Sequence, residues 1–130
     1  MAVSNSEDLK NLLIVDRSKE ILDLFTQQAC IKGFHVYRET NPLRALDYVR
    51  KKPHRIHGII CDYQMLEING LQFLIKLREV DCKAPFILTF DQALSKLKLE
   101  QAELFGAIEK PPCLKKLSGY LDKLRAPLLS

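Results

Sequence analysis

At 130 residues the chain has the length of one compact domain, long enough to bury a continuous core. Apolar residues make up 47% and charged residues 28%, which excludes a disordered acidic or low-complexity segment, and the net charge is +4. Nothing approaches the roughly 18 consecutive apolar residues of a membrane span. Residues 1–8 carry no basic stretch followed by an apolar one, so a cytoplasmic protein without a secretory leader is expected.

Residues 1–10 are read as an N-terminal extension. Strand one is Asn11 to Val15, and its apolar run Leu12-Leu13-Ile14-Val15 ends at Asp16. Ser18 can cap a helix running to about Lys32, with Ile21, Leu22, Leu24, Phe25 and Ala29 on one face. Gly33 closes that helix, and Phe34 to Tyr37 forms strand two. Asn41-Pro42 starts a second helix, a capping side chain followed by proline at the first helical position, with Leu43, Ala45, Leu46 and Val49 inward.

Strand three, Gly58-Ile59-Ile60-Cys61, ends at Asp62. Gly70 precedes a third helix, Leu71 to about Val80, with Phe73, Leu74 and Leu77 inward. Pro85 to Thr89 reads as strand four, and Gln92 to about Phe105 as a fourth helix closed by Gly106. Strand five is Ala107 to Glu109, Leu114 to Leu124 is the last helix, and residues 125–130 are a tail or the start of a linker. Five strand–helix repeats argue for a doubly wound parallel α/β sheet covered on both faces by helices. Right-handed crossovers restrict the topology, and order 2-1-3-4-5 sets the ends of strands one and three side by side at the switch point. Asp16, Asp62 and Lys110, each ending a separate apolar run, then converge on one edge.

Other features carry less. Cys30, Cys61, Cys82 and Cys113 contain no C-x-x-C pair, so they are read as buried or half-buried thiols in a reducing compartment. On a strand, Cys61 points to the opposite face from Asp62. His54 and His57 are three apart, but Pro53 interrupts the segment and a metal pair is not expected. The cluster Arg50-Lys51-Lys52-Pro53-His54-Arg55 has the charge of a nucleic-acid footprint. Cations at a helix end also offset the helix dipole, and no aromatic residue interleaves with these to stack on bases. A nucleic-acid partner is therefore not expected.

LLIVD at 12–16, IICDYQMLEING at 59–70, Pro85-Phe86-Ile87-Leu88-Thr89 and Lys110-Pro111, in this order at strand ends, resemble the receiver domain of two-component response regulators. The resemblance spans Asn11 to Leu124 and implies the chemotaxis-regulator fold. It implies phosphorylation of Asp62 by a sensor histidine kinase or phosphotransfer protein. Mg²⁺ would be held by Asp16, Asp62 and the backbone carbonyl of Gln64, with Lys110 and a strand-four hydroxyl on the phosphoryl oxygens. It further implies a cis Lys110–Pro111 bond, no enzymatic turnover of a free substrate, and output through protein–protein contact. Dimerisation or docking would use the face of helix four, strand five and helix five. Among Leu94, Leu97 and Leu99, at least one should be exposed there, because no narrow helix stripe holds all three.

The sequence departs from the family pattern at four places. Arg17 stands where a second acid usually follows Asp16, and Leu66 where a proline usually follows Met65. Phe90 occupies the usual hydroxyl position, so Thr89 reaches the site only if strand four is one residue short. Ala107 replaces the usual aromatic switch residue. Asp16, Asp62, Arg17 and Lys110 sum to zero charge without a metal, and each charge at about 4 Å matters by roughly 4 kcal/mol at an effective dielectric near 20. Arg17 is expected to pair inside the site and weaken Mg²⁺ binding; its alternative is a side chain swung to solvent beside a two-carboxylate site. Two functions follow: a phosphorylated receiver, and a degenerate receiver acting as a constitutive interaction module. An aspartyl-nucleophile phosphatase would need a general acid that neither Tyr63 nor Gln64 resembles.

Overall fold

The computed structural model describes residues 9–91 and 96–126, with the backbone alone at 96 and 97. Strands and helices alternate as β1 (Asn11–Val15), α1 (Lys19–Ile31), β2 (His35–Glu39), α2 (Pro42–Lys51), β3 (Gly58–Asp62), α3 (Gly70–Glu79), β4 (Phe86–Phe90), α4 (Lys96–Gln101), β5 (Gly106–Glu109) and α5 (Leu114–Arg125). A short 3-10 turn at Pro53–Arg55 leads into β3. The five strands are parallel, in the order β2-β1-β3-β4-β5, as the repeat pattern predicts.

Alternation along the strands splits the core in two. Leu13, Val15, Ile59, Cys61, Phe86 and Leu88 face α2 and α3, with Phe73 and Leu77 packed among them. Leu12, Ile14, Ile60, Ile87 and Ile108 face α1 and α5, meeting Phe25, Leu117 and Leu121. Both faces are covered, which is why β3 and β4 are buried at every position. The helix starts follow local chemistry. The Ser18 hydroxyl accepts the Ile21 N–H, and the Asn41 side chain accepts those of Leu43 and Arg44. Asn69 and Gln72 form a reciprocal capping box at α3.

Several expectations shift by a residue or more. β2 begins at His35 and runs to Glu39, and β4 runs Phe86 to Phe90 instead of Pro85 to Thr89. α3 begins at Gly70 itself, and Gly106 opens β5 instead of closing α4. α4 ends at Gln101, well before Phe105; its expected start at Gln92 lies outside the described residues. Leu43 is exposed because the buried face of α2 runs through Pro42, Ala45, Leu46 and Val49, and position 43 stands off it. Cys30 and Cys113 are exposed, while Cys61 and Cys82 are buried. Leu99 packs partly buried against the core; Leu94 and the Leu97 side chain lie outside the described residues.

Candidate functional site

β1 and β3 are neighbours, with Val15 opposite Cys61, so Asp16 and Asp62 emerge side by side at the C-terminal edge. Both continue the face of Ile14 and Ile60, and both are almost fully buried, at 2% and 3% exposure. The Lys110 backbone N–H bonds the Phe90 carbonyl at 2.7 Å, which prolongs the β4–β5 ladder and turns the lysine toward the acids. Its Nζ lies 3.1 Å from Asp62 Oδ1 and 3.5 Å from Asp16 Oδ2. The Lys110–Pro111 peptide bond is cis, as the resemblance implies.

Asp16 Oδ1 accepts the Ser18 N–H at 2.8 Å, closing a small turn that leads into α1. Burial pushes the Asp16 carboxyl above its ordinary range. The Ser18 N–H bond opposes this, the nearby charge of Asp62 adds to it, and Lys110 works against it. The Cys61 thiol on the other face is pushed well up by burial and by both aspartates, and its Sγ lies 3.7 Å from Met65 Sδ. It is a core group and no nucleophile.

Of the remaining predicted site residues, Arg17 departs from its expected place. Arg17 is exposed and forms no ion pair among the described residues, so the expected in-site pair with the acids is not formed. Lys110 alone bridges them. The reason is local: Arg17 lies past the end of β1, in the turn that leads into α1, where its side chain is free of both sheet faces. Thr89 stands in register with Asp62, on the same face and fully buried although β4 is not a residue short, and its hydroxyl has no hydrogen-bond partner among the described residues. Because β4 runs on to Phe90, that ring takes the opposite face and packs into the α2/α3 core. Gln64 is exposed on the loop after β3.

Two contacts lie outside the motifs. Ser18 has the pattern of a helix cap, but Asp-x-Ser is itself a pattern in which a carboxylate bonds a backbone N–H two residues on. Tyr120 of α5 receives the Ala107 N–H on its hydroxyl at 3.3 Å and stacks its ring over Gly106. Nothing in the linear sequence links positions 107 and 120.

A Mg²⁺ ion asks for about six hard oxygens in octahedral array and sheds its water reluctantly. This edge offers two carboxylates already bonded to one ammonium, and the exposed Arg17 that follows Asp16 adds no oxygen ligand. No third His, Cys, Asp or Glu joins them in a group able to hold a metal among the described residues. The donor set does not fit the ion.

A family model for the response regulator receiver domain matches residues 12–122. The chain therefore belongs to that family, the receiver module of two-component signalling. Its fold is similar to that of a response regulator receiver domain from Clostridium thermocellum, with TM-score 0.79 and 18% identity over 90% of this chain and 94% of that one. The chemotaxis protein CheY4 of Vibrio cholerae superposes with TM-score 0.77 and 21% identity, over 89% and 98%. The receiver domain of the hybrid histidine kinase CckA gives TM-score 0.74 and 18% identity, over 89% and 99%. No helix of the described residues is long and apolar enough to cross a membrane.

Proposed function

We propose that this receiver domain is a degenerate one: it signals in the cytoplasm by docking to a protein partner without requiring phosphate on Asp62, and it is not an enzyme. The carrying observation is the closed charge cluster, in which Lys110 bonds both Asp16 and Asp62 while Arg17 occupies the place of a third acid. The absent aromatic at Ala107 supports the same reading. A phosphoryl group on Asp62 would find neither a metal to neutralise it nor an aromatic lever to report it. Docking would use the face of α4, β5 and α5, where Leu114 is 37% exposed.

A second reading has one observation in its favour, the 3.1 Å contact that sets Lys110 beside the Asp62 carboxylate. In it, a histidine kinase or phosphotransfer protein supplies phosphohistidine. An Asp62 oxygen attacks the phosphorus, the P–N bond breaks and the imidazole departs. Calorimetric Mg²⁺ titration separates the two. Arg17→Asp should bind Mg²⁺ at least about tenfold more tightly than the parent, about 1.4 kcal/mol. Equal, tight binding by the parent would overturn the degenerate reading.

A further inference from the structure

The parallel sheet has a second edge, and it is basic. Helices of a doubly wound fold run against their strands, so the C-terminal ends of α2 and α5 arrive where the strands begin. They bring Lys51, Lys52 and Lys123. Cations at helix C-termini offset the dipole, and that alone would explain these three. Lys10, before β1, serves the same end, its Nζ donating to the Leu124 carbonyl in the last turn of α5, but the dipole does not explain Arg55 and Lys83, which stand before β3 and β4.

These groups border concavities that run into one another. One of about 400 Å³ has Lys10, Lys83 and Lys123 on its walls and Ile56, Pro85 and Phe105 among its apolar lining. A second, about 640 Å³, shares Pro53, His54 and His57 with the first and adds Lys51, Lys52 and Arg55. A third, about 500 Å³, shares Asn11 and Arg55 with the second and reaches Tyr37 and Tyr48. No Asp or Glu lines any of the three among the described residues. Asp81 lies nearby, 3.6 Å from Lys83 and 3.9 Å from His54, and neutralises part of the charge there. The trough crosses the edge of all five strands, about 19 Å at roughly 4.8 Å per strand.

The sequence shows no aromatic residue between these charges, but the fold supplies one at each end. Phe105 is 40% exposed beside the first concavity, and Tyr48 is 40% exposed at the third, where it stacks on Tyr37 at 3.9 Å. His57 adds a directed donor: its Nδ1 accepts the Asn11 N–H at 2.9 Å, which leaves the hydrogen on Nε2.

We propose that this edge binds single-stranded nucleic acid, its phosphates on the lysines and Arg55 and its bases stacked on Phe105 and Tyr48. A cationic groove with exposed aromatic rings is how sequence-tolerant single-strand sites are built, the cations holding phosphates and the rings giving bases a face to stack on. The surface lies across the sheet from Asp62, so the proposal stands whatever the phosphorylation state.

The test is fluorescence anisotropy with a labelled oligouridylate of about 12 nucleotides. With about four phosphates neutralised, affinity should fall roughly 50-fold between about 50 and 200 mM salt. The triple variant Lys51→Glu, Lys83→Glu, Lys123→Glu should abolish binding. The equal charge change at the opposite edge, Lys19→Glu, Lys115→Glu, Lys116→Glu, should leave most of it. Phe105→Ala and Tyr48→Ala should each weaken binding at least about fivefold. Absence of binding at low salt, equal loss in both triple variants, or equally good competition by oligoglutamate would overturn the proposal.

Discussion

Lys110 is the residue on which the C-terminal edge turns, because it bridges two buried carboxylates and offsets part of their repulsion. Asp16 remains the strained member. Its carboxyl is raised by burial, so the folded protein holds that proton more firmly than the unfolded chain does. Stability therefore falls as pH rises from the ordinary aspartate range through the raised folded value, and above that window the full cost of ionising Asp16 is present. Asp16→Asn keeps an acceptor for the Ser18 N–H and removes that cost. The variant should melt higher than the parent at neutral pH, and the gap should close below about pH 4. A variant that melts lower than the parent at neutral pH would contradict this. At this scale the sequence was informative about Asp16, Asp62 and Lys110, since each ends an apolar run. It was silent on the direction of Arg17 and the isolation of the Thr89 hydroxyl, which depend on where strand faces end.

Among the elements, α3 is held tightly against the strand that carries Asp62. A methyl group on Gly70 would sit 2.6 Å from the Asp62 carbonyl oxygen and 2.7 Å from a Leu88 methyl. The Gly70 N–H also bonds the Tyr63 carbonyl at 2.8 Å, tying the helix start to the chain just past Asp62. Gly70→Ala must push α3 away from β3 and β4. It should cost about 1–3 kcal/mol, read as a lower urea midpoint. An unchanged midpoint would show that α3 has room to move. The alternation of apolar runs and amphipathic segments made every element visible in the sequence, but not every boundary. Pro85 looked like the first residue of β4 because it opens an apolar run. In the fold its carbonyl takes the Ile59 N–H at 2.9 Å, while the Phe90 carbonyl takes that of Lys110, so the ladder ends one residue later. α4 was overextended because Ala102 and Leu104 continue the apolar spacing after the backbone has left the helix.

Over the whole molecule, charge is divided by the sheet: a buried cluster of two acids bridged by one lysine at the C-terminal edge and an open basic trough at the N-terminal one. The first was legible because receiver motifs are local, a few residues at each strand end. The second was not, because Lys10, Lys83, Phe105 and Lys123 are far apart in sequence and meet only once the strands are laid parallel. The central claim concerns the first edge: that a receiver with Lys110 clamped between two acids, and Arg17 beside them, does not take phosphate on Asp62. Intact-mass measurement after incubation with acetyl phosphate, with and without Mg²⁺, tests it most directly. The account predicts no phosphoryl adduct on the parent protein in either condition and a Mg²⁺-dependent adduct on Arg17→Asp; a stoichiometric adduct on the parent, lost in Asp62→Asn, would contradict it.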